Sequence, residues 1–465
     1  MHNREHEEAA PAHVPIAERW RSMRAAYRVA NLASHHVLGF AIKAVALVYF
    51  AFVITFLFLR YAILPNIDYY KGDIERAASR ALGSQVSIAR IYASWRGLRP
   101  NFFLGDVSLR DAQGRQVLAL PSVSATVSWW SVPAGDLRFQ SLEIIRPELD
   151  VRRTADGKLY VAGVLLAEGP GDTDSGDWAF KQRQIVIREG RINWTDEKRG
   201  APTLALTDVN LLLANRWTEH RFGLRATPPA SLAQPVDIRA AFKHPRFARR
   251  IADPRQWTGE LYADVRQTDL AGWKPYIDYP FQVSEGKGSV RAWLTLDHAR
   301  LAGFTADVGL VDVNARLRKA LPPPALKRVS GRISARETIP RGAAPGTPTF
   351  GVHGHTASLT GFSVETGDGL TLPATSISET FIPAQKGKPE TVTVTARTLD
   401  LATLAAVGTQ LPLTDTQRAM LSDFGPRGRV ENLSAQWQGQ YPEISSYRIK
   451  ERMVNHGLKP QAARL

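Results

Sequence analysis

The chain has no cysteine in its 465 residues. This removes thiol catalysis, zinc–thiolate sites and iron–sulfur clusters. A domain outside the cytoplasm would then hold itself by strand pairing and burial, without disulfides. No G-x-S-x-G elbow and no H-E-x-x-H pair occurs, and Gly286-Lys287-Gly288-Ser289 lacks the Walker spacing and reads as a turn. No basic run with interleaved aromatics is present either. The formal net charge of +15 comes from Lys and Arg spread along the chain among acids. It reads as a solvated basic surface suited to anionic lipid headgroups, with no nucleic-acid partner.

Long apolar runs are also scarce: there is one, Val37 to Leu59, VLGFAIKAVALVYFAFVITFLFL, whose 23 residues carry a single charge, Lys43. At about 1.5 Å per residue it spans about 34 Å, enough for a bilayer core. Val37, Phe40, Val45, Leu47, Phe50, Phe52, Ile54, Phe56 and Leu59 are the anchor residues, and Pro65 marks the exit. A cleaved signal peptide fits less well, because the run is long, starts far from Met1 and has no small-x-small site after it. Arg19, Arg21, Arg24, Arg28 and Lys43 precede or enter the helix, against Arg60, Lys71, Arg76 and Arg80 after it. That bias places the N-terminus in the cytoplasm and the large domain across the membrane. Residues 1–36 are expected to form a loose basic tail with a short helix, and residues 37–64 the span.

After Pro65 a short helical pattern runs from Lys71 to Leu82 and stops at Gly83. Period-two alternation then dominates. From Val290 to Asp297 one face is Val290, Ala292, Leu294 and Leu296; the other is Arg291, Trp293, Thr295 and Asp297. Around twenty such strands are expected, interrupted by loops at 169–177, 322–324, 340–348 and 384–389. A capping-box pattern at Thr414 and Gln417 predicts a late helix ending at Gly425. A weak repeat relates Leu118–Val127 to Leu204–Leu213, with an echo at Leu370–Ile377. An apolar sheet face must be covered, either by a second sheet or by curving around a groove that takes an apolar ligand. Periodicity alone leaves these two level.

The stretches ALGSQVSIARIYASWRGLRPNFFLGDVSLRD, ALPSVSATVSWWSV and LEIIRPELDVRRTADGKLYV follow the apolar helix in order. With QIVIREGRINWTDEKRGAPTLALTDVNLLL and the segment from Leu399 to Pro442, they resemble the AsmA-like proteins, and within them the YhdP-type branch. The resemblance covers Ile67 to the end. It implies a mainly β fold: an elongated, twisted, largely antiparallel sheet forming an apolar groove, with a few short helices. The units are expected at 65–167, 178–321 and 325–465. It also implies a non-enzymatic function, passage of phospholipid from the inner toward the outer membrane of a Gram-negative envelope. YhdP-type proteins are usually far longer, so this chain is expected to be a truncated copy. Groove lining is assigned to Val107, Leu109, Leu142, Ile144, Val236, Ile238, Leu261, Val265, Val290, Leu294, Leu296, Val308 and Leu310. Partners are phospholipid, the inner membrane and other envelope proteins; no cofactor is expected.

His353 and His355 sit two apart with no third ligand nearby, too few for a metal site. Glu143, Glu148 and Asp150 read as surface charges on alternating strand faces rather than a carboxylate pair. The eleven tryptophans read as sheet packing or membrane-interface residues. The competing function is an assembly factor that binds envelope proteins through its sheet edges.

Overall fold

The computed structural model describes residues 16–82, 85–110, 116–161, 164–167, 174–248, 250–279, 282–316, 325–338, 353–385, 387–403, 427–439 and 444–454. The chain divides into two units, residues 1–69 and 70–465.

In the first unit, α1 runs without a break from Ile16 to Phe58. The expected loose tail is therefore helical from Ile16, which suits a stretch with neither Gly nor Pro before Gly39. A π turn at Leu59–Ile63 and a 3-10 segment at Leu64–Tyr70 follow. Of the anchor residues, Val37, Phe40, Val45, Leu47, Phe50, Phe52 and Ile54 are exposed. Phe56 and Leu59 are half-exposed. The helix is long and apolar enough to cross a membrane, and protein buries none of its apolar window.

The second unit opens with α2 (Lys71–Leu82), as the sequence pattern predicts. Strands β1 (Gln85–Arg96), β2 (Arg99–Arg110) and β3 (Gln116–Val127) come next, then α3 (Ser131–Ala134). Strands β4 (Phe139–Ile145), β5 (Glu148–Arg153), β6 (Leu159–Val161) and β7 (Val164–Ala167) precede α4 (Asp174–Lys181). The loop expected at 169–177 thus gives way to a helix from Asp174. Strands β8 (Gln184–Asp196), β9 (Ala201–Arg216), β10 (Glu219–Thr227), β11 (Val236–Lys243), β12 (Thr258–Asp269), β13 (Gln282–Asp297) and β14 (Arg300–Arg316) follow. The last are β15 (Ala325–Glu337), β16 (His355–Thr366), β17 (Thr371–Ile382), β18 (Thr391–Asp400), β19 (Arg429–Gln438) and β20 (Ser446–Val454). The late helix expected at Thr414–Gly425 lies outside the described residues, as do the loops expected at 322–324 and 340–348.

All twenty strands belong to one sheet. Pairing is antiparallel from neighbour to neighbour except at β8, which lies parallel to both β4 and β5. The kink at Arg146–Pro147 splits what would be one long strand into β4 and β5, so that together they fill the place between β3 and β8. The outer edge of β1 is closed by α2. Ser79 Oγ accepts the Val86 N–H at 2.8 Å, Glu75 Oε1 accepts the Ile88 N–H at 2.7 Å, and Lys71 Nζ donates to the Ala89 carbonyl at 3.2 Å. These bonds satisfy groups that would otherwise pair with a foreign strand.

Left-handed residues recur inside the strands: Asp106, Glu189, Asp208, Gln267, Asp312, Gly361 and Asn432 all have φ between 45° and 56°. Asp, Asn and Gly tolerate this conformation better than other residues. Register shifts accompany them in pair after pair. A bulge bends its strand and raises the local twist, so a line of bulges across successive strands folds the sheet toward one face. On one side of that line lie many buried residues, including Val107, Val283, Val313, Val329, Val364 and Val430, with Val209 buried at the line itself; Ile91, Val123 and Ala125 are buried beyond it. Leu232 is buried beside them, and the segment at 270–279 packs there through Leu270 and Tyr279. On the other side most of the apolar face stays open.

Candidate functional site: an open apolar face

The open face is defined by register. One row runs Ala93, Phe102, Ala125, Leu142, Ile185, Leu213, Phe222, Ala240 and Leu261, each paired with the next. It continues through Leu294, Phe304, Ala335, Ala357, Glu379, Val394 and Ala435 to Ile449. A second row lies two residues along each strand. It runs Ile91, Leu104, Val123, Ile144, Ile187, Leu211, Leu224 and Ile238. It then passes Ala263, Ala292, Ala306, Ile333, Leu359, Ile377 and Ala396 to Leu433. Glu379 is the one polar side chain in either row. At about 4.8 Å per strand, the seventeen strands of the first row carry an apolar path about 75 Å long.

Most of these side chains are half-buried rather than buried. A core residue packed under a second layer would be nearly inaccessible. Here no second sheet covers the rows among the described residues, and the residual exposure is that of a trough floor. The reverse face has the opposite chemistry. Arg225, Asp237, Asp264, Arg291, Asp307 and Arg332 pair in sequence across β10 to β15. Arg332 Nε donates to Asp307 at 2.6 Å, and Arg239 and Arg225 both reach Asp237. The arginines hold the Asp307 and Asp237 carboxyls below the usual carboxylate range, chiefly by hydrogen bonding. Tyr262 and Trp293 pack with ring centroids 5.4 Å apart, tilted at 52°, on this face, with Arg239 and Arg332 over their rings. A hollow of about 950 Å³ at β8–β13 is lined chiefly from this reverse face, including Arg188, Arg221, Arg225, Arg239, Tyr262 and Trp293. Ile187, Leu211, Phe222, Leu224, Ala240 and Leu261 of the two rows also contribute to its lining.

The residues assigned to the groove from sequence fall into four groups. Leu142, Ile144, Ile238, Leu261 and Leu294 stand in the two rows. Val265, Val290 and Val308 pair with one another next to them, while Leu310 and Val265 also pack on the closed zone. Leu296 lies toward the opposite side, paired with Leu301. Val107, Leu109 and Val236 are buried in the closed zone, so they are core and do not line the open floor. The sequence reading missed the bulge line, which turns one periodic face into a closed zone and an open one. Its signal was present: Asp106-Val107, Asp208-Val209 and Asp312-Val313 each interrupt an alternating run with a residue suited to left-handed backbone.

The other constellations are accounted for. Glu143 pairs with Arg188, and Asp150 accepts from Asn193 Nδ2 at 2.9 Å. Glu148 lies 3.8 Å from Arg191. His355 bonds through Nδ1 to the His353 carbonyl and packs on Phe381.

A family model described as YhdP protein matches residues 23–464. No curated protein and no solved structure matches the chain.

Proposed function

From a chain that belongs to the YhdP family, we propose a protein anchored in the bacterial inner membrane by α1 that conducts phospholipid along the open apolar face toward the outer membrane. The observation that carries this reading is the pair of apolar rows, broken only by Glu379 and for the most part half-exposed, that run across sixteen and seventeen strands. Exposing a sixteen-carbon acyl chain to water costs about 0.8 kcal/mol per CH₂, on the order of 12 kcal/mol per chain. A continuous apolar floor removes most of that cost at every step. No single point needs to bind tightly, so a chain can slide, and no bond has to be made or broken. The charged reverse face keeps the strands soluble and their register fixed, because a one-residue slip would turn Arg and Asp onto the floor.

The large unit lies in the periplasm in this reading, since Lys and Arg favour the N-terminal flank of α1. A reporter active only in the periplasm, fused after Val161, is expected to be active. Detergent-free protein released in native nanodiscs should retain phospholipid on the large unit in native mass spectra. A cytoplasmic reporter signal would remove the lipid-bridge reading, and co-purification of a protein in place of lipid would favour a scaffold.

A further inference from the structure

The strand-joining turns collect on two rims. One carries the turns at 97–98, 128–138, 217–218, 244–257 and 298–299. On this rim the surface is unusual for a protein edge. Trp217 is 92% exposed and Phe247 91%. Trp130 and Val132 are exposed as well. Trp217 also holds φ at 55°, a backbone region in which a bulky side chain is strained. The turn would be more stable with glycine there, and a side chain almost wholly in water gains no burial in return. Strain kept without a stability benefit points to use.

Trp130 and Trp217 open onto one cavity of about 670 Å³, together with Arg99, Lys181 and Arg183. The three cations form no ion pair with any described residue. Of the nearby acids, Asp136 pairs with Arg138 at 2.7 Å and feels Lys181 only as a weaker, longer-range charge, and Asp177 accepts the Ala252 N–H at 2.6 Å. The reverse-face hollow differs, because Arg188, Arg225 and Arg239 there already hold Glu143 and Asp237. Arg183 lies two residues from Ile185 of the open apolar row, with the same strand parity, while Arg99 joins the cavity from the rim end of β2. At about 3.4 Å per residue along the strand, Arg183 stands about 7 Å from the apolar floor. That separation matches a phosphate whose attached chains begin a few bonds away.

We infer that this rim cavity binds the phosphate of a phospholipid headgroup, with Arg99, Lys181 and Arg183 as anion contacts and Trp130 and Trp217 against the glycerol and upper chains. The inference rests on the lipid-path reading above and assigns the headgroup to one rim. Cationic side chains with flanking tryptophan suit the boundary between polar headgroup and acyl chain.

The test uses the full chain in neutral-detergent micelles with phosphatidylglycerol as probe. A photo-crosslinking residue is placed at Val132, beside the cavity, or at Leu294, on the apolar floor. Val132 is expected to give a lipid adduct. Arg99→Gln, Lys181→Gln and Arg183→Gln together should lower it by about tenfold or more, the equivalent of losing one charge-assisted contact. Trp217→Gly should lower it severalfold while the unfolding temperature stays the same or rises, an outcome that a structural role for Trp217 does not give. The Leu294 adduct should persist in both variants. A Val132 adduct unchanged by either variant, or one abolished by millimolar inorganic phosphate, overturns the headgroup site. Loss of the Leu294 adduct in the unaltered chain, with the Val132 adduct intact, overturns the lipid path instead.

Discussion

At the scale of single residues, the open floor and the reverse face lie one residue apart in β13. Leu294 stands in the apolar row between Leu261 and Phe304, and Thr295 faces the other way. Leu294→Asp puts a carboxylate on the face proposed to carry acyl chains, at a cost of several kcal/mol if it stays dry and charged. We expect this variant to accumulate at normal levels yet lose lipid crosslinking and activity, whereas Thr295→Asp, within about 0.5 kcal/mol of neutral, changes neither. Degradation of the Leu294→Asp protein would instead mark Leu294 as closed core. A second residue-scale consequence concerns pH. His220 is 2% exposed, packed by Phe180, Trp257 and His244. Its Nδ1–H donates to Asn215 Oδ1 at 2.7 Å, and its Nε2 has no partner. Burial, with a smaller contribution from His244, pushes its pKa down to about 4. The folded protein therefore refuses a proton that the unfolded chain accepts near pH 6.5. Stability should be flat above that pH with respect to His220, fall between about 6.5 and 4, and level off below, by roughly 3 kcal/mol in all. Urea midpoints across this range should show the slope, and His220→Phe should flatten it.

At the scale of elements, most of the strands and α2 can be read from alternation and turn chemistry, because one face of each strand is apolar over its whole length. The division of that face into closed and open zones cannot be read from periodicity, since both zones are equally apolar and only the bulges separate them. This is why Val107, Leu109 and Val236 read as lining and prove to be core. Helix α4 was hidden for a different reason: its sequence, Asp174–Lys181, has Ser and Gly early and too few turns for a helical period to show. Gly288, read from sequence as part of a turn, instead lies inside β13 at φ 149° and shows how tightly the bulged strands approach. A Cβ there would lie 2.1 Å from the Gly309 carbonyl oxygen. Gly288→Ala is expected to destabilise the large unit by about 1–3 kcal/mol, measured as a shift in urea midpoint. At the sheet edge, Glu75→Ala and Ser79→Ala together release the Val86 and Ile88 N–H groups that α2 now satisfies. The double variant should form concentration-dependent oligomers by light scattering, because an uncovered edge strand pairs with another chain.

At the scale of the whole molecule, the groove is a property of register carried from strand to strand, so no short motif encodes it. A sandwich and a trough place the same residues on the same faces of each strand. Only the single sheet and the half-exposure of its apolar rows distinguish them. The family match and the apolar helix set the context, and the rows support the proposed lipid path. The most direct measurement is a photo-crosslinking scan in living cells at paired neighbours on separate strands: Leu261 and Tyr262, Leu294 and Thr295, Ile333 and Ser334, Leu359 and Ser358, Ile377 and Ser378. Phospholipid adducts are expected at the first residue of every pair and at none of the second, on β12, β13, β15, β16 and β17. Adducts absent from the first residues, or equal at both members of each pair, would contradict an apolar lipid path along this sheet.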